Sequence, residues 1–228
     1  MPKLDELYLQ LAGLFEPSVA SNLAKFEHLF RSVNKARSEQ LLESEHLDFG
    51  VLRSAIAFKR AVGQIHEVVH GVGILIALPH ILLPNENVEG LSLGAGNTGR
   101  GFDLETNLRV AEFKFIDWKG GSEAVRQNQL FKDFFLLAES STTKRKQLFV
   151  VGTDHPLRFL MGNRACTSVF TGHKALWEKF QKKYGDSITW VSEYYGRHRK
   201  KVEVVDLRAV IPNLASTSDL NLEAADEA

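Results

Sequence analysis

Apolar positions change period several times along this chain, and each change predicts an element. Leu4, Leu7, Leu11 and Leu14 recur at helical spacing and predict a short amphipathic helix over residues 4–15, ended by Pro17. A second helix is expected from Ser18 past Phe26 and Phe30 to Leu42, and a third over residues 51–78. Residues 84–101 are rich in Asn and Gly and predict turns between short strands at 89–93 and 101–105. From Val110 to Ile116 the period drops to two: Val110, Glu112, Lys114 and Ile116 share one face, and Ala111, Phe113 and Phe115 the other. Ser122 opens a helix expected to run to Glu139, with Leu130, Phe131, Phe134, Leu137 and Ala138 on its packing face. The run Gln147 to Gly152 predicts a buried strand. A helix follows over 172–184, stopped by Gly185, and then strands over 188–194 and 202–210 joined by a basic turn.

These elements predict an α/β fold with a mixed central sheet flanked by helices. Residues 1–48 read as a helical appendage, 49–212 as the core, and 213–228 as an acidic, disordered tail. The 228 residues, 44% hydrophobic and 25% charged, are those of a water-soluble chain. The start Met1-Pro2-Lys3-Leu4-Asp5-Glu6 lacks a basic stretch followed by an apolar run, and the greasy stretch 72–83 is short and broken by Pro79. With a single cysteine, Cys166, this predicts a cytoplasmic protein with no membrane partner.

The alternation at residues 110–116 carries the chemistry. Glu112 and Lys114 project together from a strand whose other face is wholly apolar, and Thr106-Asn107 supplies a turn that folds Asp103 back towards Glu112. Two carboxylates and a lysine at adjacent strand ends suit a hard divalent cation such as Mg2+, with Mn2+ as a substitute.

Asp103, eight intervening residues, then Glu112-Phe113-Lys114 resembles the active-site hairpin of the PD-(D/E)XK nuclease superfamily. The resemblance covers residues 55 to 150, with Phe102 where the motif's proline would stand. It implies a restriction-endonuclease-like fold and metal-dependent hydrolysis of DNA, with Asp103 and Glu112 as metal ligands and Lys114 positioning or deprotonating the attacking water. Like-charge repulsion from the cation would depress the lysine's pKa and suit it to the base role. It further implies a third carboxylate on the preceding helix, which falls on Glu67, and a glutamine on the following helix four residues before an aromatic, which falls on Gln127 with Phe131. A homodimer would let two such sites cut both strands.

Other features compete or add. His66-Glu67-Val68-Val69-His70 fits HExxH, with both histidines on one helical face able to share Zn2+ and Glu67 as base, so a zinc metallopeptidase is the rival reading. A non-catalytic nucleic-acid-binding protein on the same fold is another. Gly94-Ala95-Gly96-Asn97-Thr98-Gly99 satisfies GxGxxG but precedes a strand rather than the helix N-terminus that a dinucleotide needs. Asp117-Trp118-Lys119 offers a second DxK frame, and Glu105 shares a face with Asp103 as a further possible ligand. Net charge is zero, yet removing the acidic tail leaves a positive remainder. Lys144-Arg145-Lys146 and the turn Arg197-His198-Arg199-Lys200-Lys201 are candidate phosphate contacts, with Arg197, Arg199 and Lys200 foremost and Arg100 beside the hairpin.

Overall fold

The computed structural model describes residues 3–31, 33–63, 65–93, 101–116, 118, 123–211 and 214. The GxGxxG stretch, Arg100, Asp117, Lys119 and the acidic tail lie outside them. The chain divides into two compact units between His66 and Glu67.

The N-terminal unit holds α1 (Leu4–Phe15), α2 (Val19–Leu29), α3 (Lys35–Ser44) and α4 (Phe49–Val62). Leu7 and Leu11 are buried, and α1 packs on α2 and α4. The expected second helix is two: Ser18 caps α2 through its hydroxyl, and Asn34 caps α3 by accepting from the Arg37 N–H. Residue 48 is not the end of this unit, because α4 belongs to it; Asp48 is instead the N-cap of α4.

In the second unit, α5 (Ile65–Ile81) is followed by β1 (Val88–Leu91), β2 (Leu104–Thr106) and β3 (Arg109–Lys114). Next come α6 (Ala124–Glu139), β4 (Arg145–Val150), α7 (Asp154–Leu160), α8 (Cys166–Val169), α9 (Lys174–Tyr184), α10 (Val191–His198) and β5 (Glu203–Asp206). The strands form one sheet in sequence order; β1–β2 and β2–β3 pair antiparallel, and β3–β4 and β4–β5 parallel. This is a mixed, open α/β sheet flanked by helices.

The two faces of β3 meet different cores, as the alternation requires. Ala111 and Phe113 pack with Phe149 and with Ile74, Ala77 and Ile81 of α5. The opposite face of the sheet, with Val110 and Leu148, packs on α6 and the helices beyond it. Gly73 lets α5 approach: a Cβ there would lie 2.6 Å from the Phe115 ring. Residues Phe49–Ile81 taken end to end are long and apolar enough to cross a membrane, by length and composition alone. In the fold, Ile74 and Ala77 are wholly buried under the sheet.

Residues 191–198 are a helix, where a strand was expected over 188–194. Glu193 caps it by accepting from the Thr189 and Trp190 N–H groups, and Val191, Tyr194 and His198 are buried at helical spacing. The Tyr194 and Tyr184 hydroxyls donate to Glu139 at 2.9 and 2.5 Å, tying α10 and α9 to the end of α6.

The base of the hairpin is held by a buried ion pair. Arg109 donates to both Glu86 oxygens, to the Gln147 side-chain oxygen (2.8 Å) and to the Ile81 carbonyl (2.6 Å). The Thr106 hydroxyl and the Leu83 N–H also donate to Glu86. Burial works against an ionised Glu86, but the donors from Arg109, Thr106 and Leu83 outweigh it and hold the carboxyl down to about 2.

Candidate active site

The turn between β2 and β3 is made by Thr106, whose hydroxyl accepts from the Leu108 and Arg109 N–H groups. Leu104 then pairs with Ala111 and Glu105 with Val110, which sets Asp103 across from Glu112. One Asp103 oxygen accepts from the Phe113 N–H at 2.9 Å, and the other lies 3.3 Å from Nε2 of His70 on α5. Glu112 is only 8% exposed. Lys114, at the C-terminal end of β3, places its ammonium 2.5 Å from Oδ2 of Asp133, itself a buried residue of α6.

The site therefore gathers three carboxylates, one lysine and one imidazole in a space largely closed to water. Burial first, then the charges of Asp133 and Asp103, push Glu112 up to about 9. Burial would also raise Asp103, but the hydrogen bonds from His70 and Phe113 and the charge of Lys114 hold it below the usual carboxylate range. Burial would lower Lys114, yet Asp133, Glu112 and Asp103 leave it above its ordinary value. That is the balance without a cation; the depression expected of Lys114 depends on a bound cation beside it. Its ammonium is paired with Asp133 at the C-terminal end of β3.

The other expected residues distribute unevenly. Glu67 is exposed on α5, one turn before His70 and on the same helical face. Gln127 does not face the lysine: its side-chain oxygen accepts from Arg164. The phase of α6 instead turns Arg126, Gln129 and Leu130 to a cavity of about 30 Å³ beside Lys114, with Trp118 and Pro156 on its other walls. Glu105 is drawn to the edge of the sheet, 3.0 Å from the Lys144 ammonium, which also pairs with Glu89 at 2.8 Å.

Arg197 lies over the Tyr184 ring, and Arg199 and Lys200 are exposed between α10 and β5. Because β3, β4 and β5 run parallel, that turn sits at the N-terminal edge of the strands. Lys114 pairs with Val150 at the other edge.

Two residues of this cluster were not assigned these roles from the pattern. Asp133 stands as a lone carboxylate inside the apolar stripe of Leu130, Phe134 and Leu137, a signal that was available in the sequence. His70 was legible only as a zinc ligand, and its bond to Asp103 gives it a different use. Among the described residues, no group of three His, Cys, Asp or Glu comes together to hold a metal. Mg2+ asks for less, since it is commonly held by one or two carboxylates and completes its shell with water. The adjacent Asp103 and Glu112 fit that demand, and a cation there would offset the charges of Asp133 and Asp103, which after burial hold Glu112 up.

Fold and site together define an α/β protein with a buried carboxylate–lysine cluster on a β-hairpin. No family model, curated protein or solved structure matches the chain.

Proposed function

We propose that the chain is a metal-dependent phosphodiesterase acting on DNA, built on a hairpin and fold of the PD-(D/E)XK, restriction-endonuclease-like kind. One observation carries the reading: Asp103 is held beside Glu112, which stands two residues before a half-buried, ion-paired Lys114, at the end of a mixed sheet. That is a cation seat and a fixed ammonium within reach of one phosphate.

Asp103 and Glu112 would hold Mg2+, with Glu67 contributing a further carboxylate from α5. When bound, the ion would polarise the scissile phosphate and ease ionisation of the attacking water. The protein's part is preorganisation. The Phe113 N–H and His70 fix the Asp103 carboxylate, and Asp133 fixes the Lys114 ammonium where it can orient water and offset charge on the phosphate oxygens. Hydrolysis joins the water oxygen to phosphorus and releases the sugar oxygen, which leaves with a proton.

The rival zinc reading has less support, since His70 is engaged with Asp103. The test is cleavage of supercoiled and linear plasmid by chelator-stripped protein, with Mg2+ or Mn2+ restored. Cleavage is expected with either ion, and a fall of about a hundredfold or more in Glu112→Ala and Lys114→Ala. Undiminished cleavage by Lys114→Ala would refute the assignment. Absence of cleavage on any DNA, with stoichiometric zinc in the untreated protein, would turn the reading to the HEVVH helix.

A further inference from the structure

The two basic segments of the sequence, 142–146 and 200–201, are far apart in the chain and meet in the fold. They line one groove of about 370 Å³ at the N-terminal ends of β4 and β5. Its walls carry Lys144, Arg145, Lys146, Lys200 and Lys201 against one lining carboxylate, Glu203. Lys144 is neutralised by Glu89 and Glu105, and Arg145 by Glu203 at 3.1 Å. Lys146 donates to the Ser140 carbonyl, and among the described residues Lys146, Lys200 and Lys201 have no carboxylate partner. Among the described residues, Lys146, Lys200 and Lys201 thus form no ion pair, although the Glu139 charge reaches Lys146. Burial, and then the charge of Lys201, hold Lys146 below the usual lysine range, against the opposing charge of Glu139.

We propose that this groove is a second nucleic-acid backbone site, seating a phosphate of the same DNA strand or duplex whose cleavage is assigned to Lys114 and its neighbours. The inference rests on the reading of the chain as a DNA hydrolase. Arg145 and Val150 mark the two edges of β4 and are five residues apart, so about 17 Å separates the two sites along the sheet. With one phosphate per ~3.4 Å on each strand, the groove holds the backbone roughly five base pairs from the cut. Lys200 and Lys201 give register and affinity without sequence preference.

The test is fluorescence anisotropy with a labelled duplex of about 20 base pairs, long enough to reach both sites. It is run with EDTA present across a salt series, for the wild type and for Lys200→Glu/Lys201→Glu. A Lys174→Glu/Lys179→Glu variant serves as the control of equal charge on exposed positions of α9. The groove variant is expected to bind about tenfold or more weakly and to lose about two from the log–log salt slope, with the control unchanged. Equal affinity and slope in the groove variant, in a protein that does cut DNA, overturns this inference alone. Binding that depends on the two lysines, in a protein that cuts nothing with Mg2+ or Mn2+, upholds the groove and overturns the hydrolase reading. A wild-type chain with no affinity for DNA in EDTA overturns the groove, and the cleavage assay with Mg2+ or Mn2+ then decides the hydrolase reading separately.

Discussion

Glu112→Gln is expected to stabilise the metal-free protein above neutral pH while removing its use for a cation. Glutamine keeps the volume of the side chain and can still donate to Asp103. In the wild type, burial and the charges of Asp133 and Asp103 raise the carboxyl from 4.5 to about 9. The folded state therefore keeps a proton that the unfolded chain has released. The sign follows: the stability linked to protonated Glu112 is complete below about 4.5 and drains as pH rises towards about 9. At pH 8 the shift spans several pH units, and at about 1.4 kcal/mol per unit the upper limit is about 5 kcal/mol. Relaxation around the site reduces this to an expected gain of about 2–4 kcal/mol for the variant, or roughly 5–15 °C in the melting temperature of the second unit. At pH 5, where both side chains are almost fully neutral in the fold, the gain should nearly vanish. Melting curves at pH 5, 6.5 and 8 with EDTA measure it. With saturating Mg2+ the order should reverse, because only the wild type gains binding free energy from the ion. A variant that is no more stable than wild type at pH 8, or one with the same gain at pH 5, would refute the account of Glu112 as a carboxyl raised by burial among like charges.

Three further outcomes follow from the same geometry. Mg2+ binding near pH 7.5 should expel about one proton, because Glu112 must ionise to ligate; calorimetry in buffers of different ionisation enthalpy reads this, and binding heats independent of buffer would contradict it. Glu86→Gln should cost about 3 kcal/mol at pH 7 by stranding the buried Arg109 charge. The ion-pair contribution is present above about 4.5 and is lost as pH falls towards about 2, so the variant's stability should change less over that window in acid titration. Gly73→Ala should destabilise by about 1–3 kcal/mol, since its methyl would meet the Phe115 ring; an unchanged urea midpoint would show that α5 can shift away from the sheet freely.

The hairpin chemistry was legible in the sequence because it is local. A period of two fixes which residues share a face, and one turn at Thr106-Asn107 fixes which residue opposes Glu112, so Asp103 could be placed from spacing alone. The same locality gave α1, α6, β4 and α9 to within a few residues, where apolar periodicity and terminal residues agree. It misled at residues 188–194, where a strand was expected and a helix begins at Val191, its buried face of Val191, Tyr194 and His198 completed only beyond the expected strand. It also merged helices at 18–42 and 51–78, since a continuous apolar pattern does not register where Asn34 caps a new helix or where α4 ends at Gly63.

Only tertiary structure decided the rest. The Asp133 partner of Lys114, the bond from His70 to Asp103 and the turning of Gln127 to Arg164 depend on the rotation of α5 and α6 against the sheet, and a residue or two of phase decides each. The protonation of Lys114 and Glu112 was equally out of reach, since it is set by burial and by charges from other elements. The convergence of residues 142–146 with 200–201 belongs to the parallel pairing of β4 with β5, a contact spanning more than fifty residues of chain that no local pattern encodes. Sequence determined which chemistry stands at the hairpin; packing decided what holds it and how it is charged.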